Sequence, residues 1–134
     1  GRERALIAGA GPERRAALQR VALACGIADK AVSYFYATLF STSLDTGFAA
    51  RCEEQIRAGL KALDTQCAAR GQAWWFGSRP GHDDIAVACV TRFVSEAYPA
   101  LYAEREHPAL ARHCAAAEDL PIFAAVVQPF IPPR

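Results

Sequence analysis

Two adjacent carboxylates, Asp83 and Asp84, stand where the loop Trp75-Phe76-Gly77-Ser78-Arg79-Pro80-Gly81-His82 runs into an apolar stretch. Neighbouring residues at a helix start point in different directions, so this is no general acid/base pair. What such carboxylates do well is meet the four backbone amides that a first helical turn leaves free, where negative charge is favoured. His107 and His113 are too poorly matched in spacing to share one helix face, which argues against a metal site. The five cysteines, Cys25, Cys52, Cys67, Cys89 and Cys114, include no CxxC pair and no Cys/His cluster. Their spacing fits neither zinc nor a disulfide framework, and most are expected to be small buried hydrophobes in a reducing cytoplasm. Trp74-Trp75-Phe76 would stack on bases only beside a basic groove, which the composition does not supply. Trp75 or Phe76 is expected to plug the core, with Trp74 nearer the surface.

The elements that must position these residues follow from patterning. The 134 residues suffice for one domain with a core, and 52% are apolar. The net charge is +1 with both signs interspersed, so nothing points to nucleic acid. Charges break every long apolar run, so neither a membrane span nor a secretion signal is expected. The chain begins Gly1-Arg2-Glu3 and contains no methionine, so it is expected to be part of a longer polypeptide, with residues 1–11 a linker from upstream and residues 12–134 the domain.

Pro12 and Glu13 suit a helix start. From there to about Phe40, apolar residues recur at three- and four-residue steps through Leu18, Val21, Cys25, Val32, Tyr36 and Leu39. Gly26 inside this helix is expected to mark a close helix contact, the alternative being a site where backbone approaches a ligand. A capping-rich turn over 41–47 leads to a second helix, to about Arg70, with Phe48, Cys52, Ile56, Leu60, Leu63 and Cys67 on one face. Glu53 and Glu54 are spaced to pair with Arg57. A third helix over 82–97 is apolar nearly all round and is therefore expected to be central. Short helices follow over about 108–116 and 120–127, then a proline-rich tail. No hairpin or alternating strand pattern occurs, so the fold class is all-α with five helices.

A buried third helix must satisfy its free amides inside the protein. With Gly81 as cap, Asp84 occupies the third helical position, from which its carboxylate reaches back to the cap amide, and Ile85 follows as the staple partner of Pro80. Two long antiparallel helices, an aromatic-Gly loop, this cap, an apolar helix and a short Pro-initiated pair come in an order that resembles the all-helical C-terminal domain of bacterial-type glutathione S-transferases, over essentially the whole chain. Arg20-Val21-Ala22-Leu23-Ala24-Cys25-Gly26-Ile27-Ala28-Asp29 looks like the family's "ALA-x-G-I-x-D" stretch, and Phe76-Gly77 through Asp84-Ile85 resembles its capping segment. The family usually has Ser or Thr at the cap. Gly81 lacks the side-chain acceptor, and half of the reciprocal box is lost.

The resemblance implies a detoxification transferase whose thioredoxin-like N-terminal domain binds glutathione, as co-substrate, and carries the Ser, Tyr or Cys that acts on its thiol. No catalytic residue is then expected in this chain. The first helix would wall the electrophile pocket and join a homodimer interface. On it Cys25, Asp29, Val32 and Tyr36 fall at steps of four, three and four, hence on one face. Tyr36 would place a hydroxyl on developing substrate charge, Asp29 would orient the amino end of glutathione, and Phe130 would fold back over the cleft. A cytoplasmic location is expected, with neither nucleic acid nor membrane as partner. The same helical domain also serves as a non-catalytic protein-interaction module in translation factors and synthetase complexes, which is the alternative function.

Overall fold

The computed structural model describes residues 4–40 and 46–131. Five α-helices fill them: α1 (Gly11–Leu39), α2 (Thr46–Ala69), α3 (His82–Ala97), α4 (Pro108–Glu118) and α5 (Pro121–Ala125), with a 3-10 turn at Glu104–Glu106. Among the described residues no strand forms, and β-type pairing is confined to one isolated bridge between Trp74 and Gly77. No described helix is long and apolar enough to cross a membrane. Most of the capping-rich turn over 41–47 lies outside the described residues.

Helix α2 buries Cys52, Ile56, Leu60, Leu63 and Cys67, the face its periodicity predicts. Each fully buried Ile or Leu side chain there contributes roughly 1.5–3 kcal/mol. Helix α3 is the central element. Val87, Ala88, Val90, Thr91 and Val94 are buried, while His82, Cys89 and Glu96, seven residues apart on one line, reach solvent. Thr91 sits inside because its hydroxyl donates to the Val87 carbonyl at 2.8 Å. The start of α4 is capped from another helix: Asp64 of α2 accepts the Ala109 and Leu110 amides at 2.8 and 2.9 Å. On the solvent side Arg57 pairs with Glu53 and also donates to the Ala100 carbonyl, tying α2 to the turn after α3.

Helix α1 meets the core through Ala17, Ala24, Ile27 and Ala31, with Leu23 and Tyr34 packed alongside, and not through most of its larger apolar residues. Leu18, Val32, Tyr36, Leu39 and Phe40 are exposed, and so is Cys25. Small side chains win the inner face because they let α1 approach α2 closely. The close approach expected at Gly26 is absent, since a methyl group there would meet nothing within 4 Å. It occurs at Gly59 instead, where an added Cβ would stand 2.6 Å from Ile27 Cγ1.

The cysteines also divide differently. Cys52 and Cys67 are buried and Cys114 is half-buried, but Cys25 and Cys89 are exposed. The tryptophans exchange roles. Trp74 is the deeply buried one, packed with Ala88 and Ala117, while Trp75 and Phe76 are half-buried. Trp75 packs against the main core from its edge and lies under two arginines, which leaves it only half-buried.

Candidate functional site

Two groups of residues carry the polar and the apolar chemistry, and they occupy opposite halves of α1. The polar group gathers at the start of α3. Asp84 is wholly enclosed. One of its oxygens accepts the Gly81 amide at 2.9 Å, the return half of the capping box, and the other accepts the Trp75 amide at 3.1 Å. The guanidinium of Arg70, one residue past α2, stands 3.5 Å from that second oxygen. Asp83 points elsewhere, as adjacent helical residues must, and receives the Arg20 Nε of α1 at 2.7 Å. The two guanidiniums lie 4.7 and 5.0 Å from the ring centroid of Trp75, within cation–π range.

His113 of α4 completes the group. It is fully buried, with Nδ1 2.6 Å from Arg70 and Nε2 3.0 Å from the Asp84 carbonyl. An arginine only donates, so Nδ1 must accept and Nε2 must carry the proton it gives to the carbonyl. That arrangement belongs to the neutral ring. Burial pushes the His113 pKa down, and the Asp84 carbonyl bond opposes this only in part. Five segments, α1, the end of α2, the loop, α3 and α4, are thus joined by charges and hydrogen bonds that satisfy one another. Such an arrangement holds a fold; it offers no unpaired base and no activated nucleophile.

The apolar group is the outer face of α1. Cys25, Asp29, Val32 and Tyr36 all lie there, each exposed, in the register their spacing predicts. The Tyr36 ring stacks on Phe40 at 5.9 Å and meets the edge of Phe35 at 5.5 Å. A second aromatic series runs inward, from Phe130 to Phe93 at 6.0 Å, to Tyr98 at 6.5 Å and to Tyr34 of α1 at 5.3 Å. Phe130 does fold back, but onto α3: its amide donates to Glu96 at 2.9 Å. The tail thereby borders a groove of about 590 Å³ floored by Phe93 and Arg92, with Cys89 at its edge. Arg92 is neutralised there by Glu96 and Glu118. Burial, and then the Glu118 charge, raise the Cys89 thiol, which disfavours the nucleophilic thiolate.

The spacing of Asp84 relative to Gly81 revealed the cap, and the one-face spacing on α1 revealed the strip. Arg20, Arg70 and His113 carried no local signal, because their partners lie 63, 14 and 29 residues away in the chain. Their one trace was a pair of aspartates too deeply placed to remain unpaired.

Similar proteins agree with this architecture. A family model described as the glutathione S-transferase C-terminal domain matches residues 46–116. A glutathione S-transferase of Methylobacterium radiotolerans, solved in complex with glutathione sulfonate, superposes with a TM-score of 0.83 at 29% identity, over 96% of this chain and 61% of that one. One from Methylobacillus flagellatus, solved with GSH bound, gives 0.80 at 26% identity, over 90% and 59%. A glutathione transferase family member of Pseudomonas fluorescens shares the fold at 23% identity and a TM-score of 0.74, over 94% and 63%. The chain therefore spans about three fifths of the solved structures it resembles. No curated protein matches it. With the model covering more than half of its residues and the helices in the same order, the chain belongs to the glutathione S-transferase C-terminal domain family.

Proposed function

We propose that the chain is the helical half of a cytoplasmic, dimeric glutathione transferase, and that the outer face of α1 walls the site of a hydrophobic electrophile. The observation that carries this reading is the exposure of that face. Val32 is 46%, Tyr36 55% and Phe40 68% exposed, although the first is aliphatic and the others aromatic. Contiguous apolar surface of this kind marks a contact site. In this reading a thioredoxin-like domain supplies the glutathione site and the Ser, Tyr or Cys beside the sulfur. The glutathione thiolate forms a bond to carbon, and the electrophile either expels its leaving group or accepts the charge. The Tyr36 hydroxyl donates to that charge, Asp29 receives the amino end of glutathione, and Val32 and Cys25 shape the apolar wall.

The test uses the whole polypeptide, with glutathione and an aromatic electrophile. Tyr36→Ala should lower kcat/KM for the electrophile roughly tenfold while leaving KM for glutathione unchanged. Unchanged electrophile kinetics would remove Tyr36 from the site, and absence of any conjugation by the parent would favour an interaction module. The chain by itself should pass through a glutathione resin, and its retention would contradict the assignment of the glutathione site to the other domain.

A further inference from the structure

We propose that the loop from Phe76 to His82 is a cradle for main-chain carbonyls, occupied by residues 5–8, and that the segment ahead of α1 thereby supplies from its backbone an acceptor for the first free amide of α3, which a capping side chain, reaching the second or third amide, does not serve. The Leu6 carbonyl accepts the His82 amide, the first of the free amides of α3, at 2.7 Å. Arg79 donates to the Ala5 carbonyl at 2.8 Å while lying over the Phe76 ring at 5.2 Å. Arg14 of α1 holds the Ala8 carbonyl at 3.1 Å from the other side. Three attachments, two from the loop and one from α1, thus grip carbonyls, which every residue possesses.

Gly81 is the second, independent observation. Its backbone (φ −93°, ψ −178°) is ordinary extended conformation, so conformational freedom does not explain a glycine there. Space does. An added Cβ would stand 2.7 Å from Phe76 Cβ, 2.9 Å from Asp83 Oδ1 and 3.0 Å from the Leu6 carbonyl oxygen. The volume a Ser or Thr cap would enter is already filled, in part by the segment's own carbonyl. Leu6 itself is 40% exposed, so its side chain is not what docks. The occupant is recognised as backbone, and its position is coupled to the amino end of the central helix.

The coupling is tested in the full chain by amide exchange and thermal unfolding, using the parent, Gly81→Ala and Gly81→Ser. In the parent, the His82 amide should exchange at least roughly tenfold more slowly than in an unstructured peptide. Free exchange at His82 in the parent would overturn the proposal outright, whether or not either variant folds. In Gly81→Ala the added methyl should displace the segment, so that residues 5–8 gain protease sensitivity and Tm falls. Gly81→Ser should displace the segment equally but recover part of the lost Tm, because its hydroxyl can accept a different free amide, that of Asp84 at the third helical position. A segment that stays protected in both variants would contradict the coupling between its position and the amino end of α3.

Discussion

Along α1, the amino-terminal half presents Arg20 to Asp83 and Trp75, whereas the outer face farther on presents Val32, Tyr36, Leu39 and Phe40 to water. Polar groups are enclosed in the first region and apolar groups exposed in the second, the reverse of what hydropathy alone would arrange. The contrast separates two duties. Enclosed charges cost several kcal/mol each to desolvate and survive only when fully partnered, so the start of α3 is where the fold is held. Exposed aromatic surface contributes little to the isolated fold and is available for a ligand or another domain.

The largest effect should come from Asp84→Ala. It deprives the Gly81 and Trp75 amides of their acceptor and leaves Arg70 without its carboxylate. The expected loss is about 3 kcal/mol or more, read as a fall in the denaturant midpoint, and a loss below about 1 kcal/mol would reduce this region to an ordinary helix start. Next comes the contact between α1 and α2, where Gly59 of α2 faces Ile27 of α1. Gly59→Ala drives a methyl group into Ile27 and should cost about 1–3 kcal/mol. Gly26→Ala, on the open side of α1, should instead gain up to about 1 kcal/mol, and equal effects of the two in thermal melts would erase the distinction between the packed contact of the helices and the open face.

A smaller effect concerns pH. The folded state holds His113 neutral and lowers its pKa below the ordinary histidine value. Below about pH 6.5 the unfolded chain takes up a proton that the folded chain refuses, so this contribution to stability is complete above that pH and declines as pH falls toward the folded pKa. Urea melts from pH 7.5 to 5 should show the decline, and His113→Gln should lose that part of the slope. A slope unchanged in the variant would place its origin elsewhere.

Much of this organisation was legible wherever a local repeat governs it. The α2 face, the enclosure of α3 and the reach of Asp84 back to Gly81 all follow from spacings within a few residues. The inner face of α1 was not, because an alanine-rich helix is apolar on several sides and only the shape of α2 selects which side goes in. Gly26 and Gly59 look alike in sequence, and only the placement of Ile27 tells them apart. The role of Trp75 depended on two arginines, one of them, Arg20, distant in the chain. Of the strip on α1, the shared face of Cys25, Asp29, Val32 and Tyr36 could be read from spacing, while its exposure could not.

Native-state hydrogen exchange at the Trp75 and Gly81 amides tests the holding role of Asp84 most directly. Both should exchange only through global unfolding, with a free energy equal to that from denaturant melts. Exchange of either amide through a local opening of much lower free energy would contradict the account, since the start of α3 would then open while the rest of the domain stays folded.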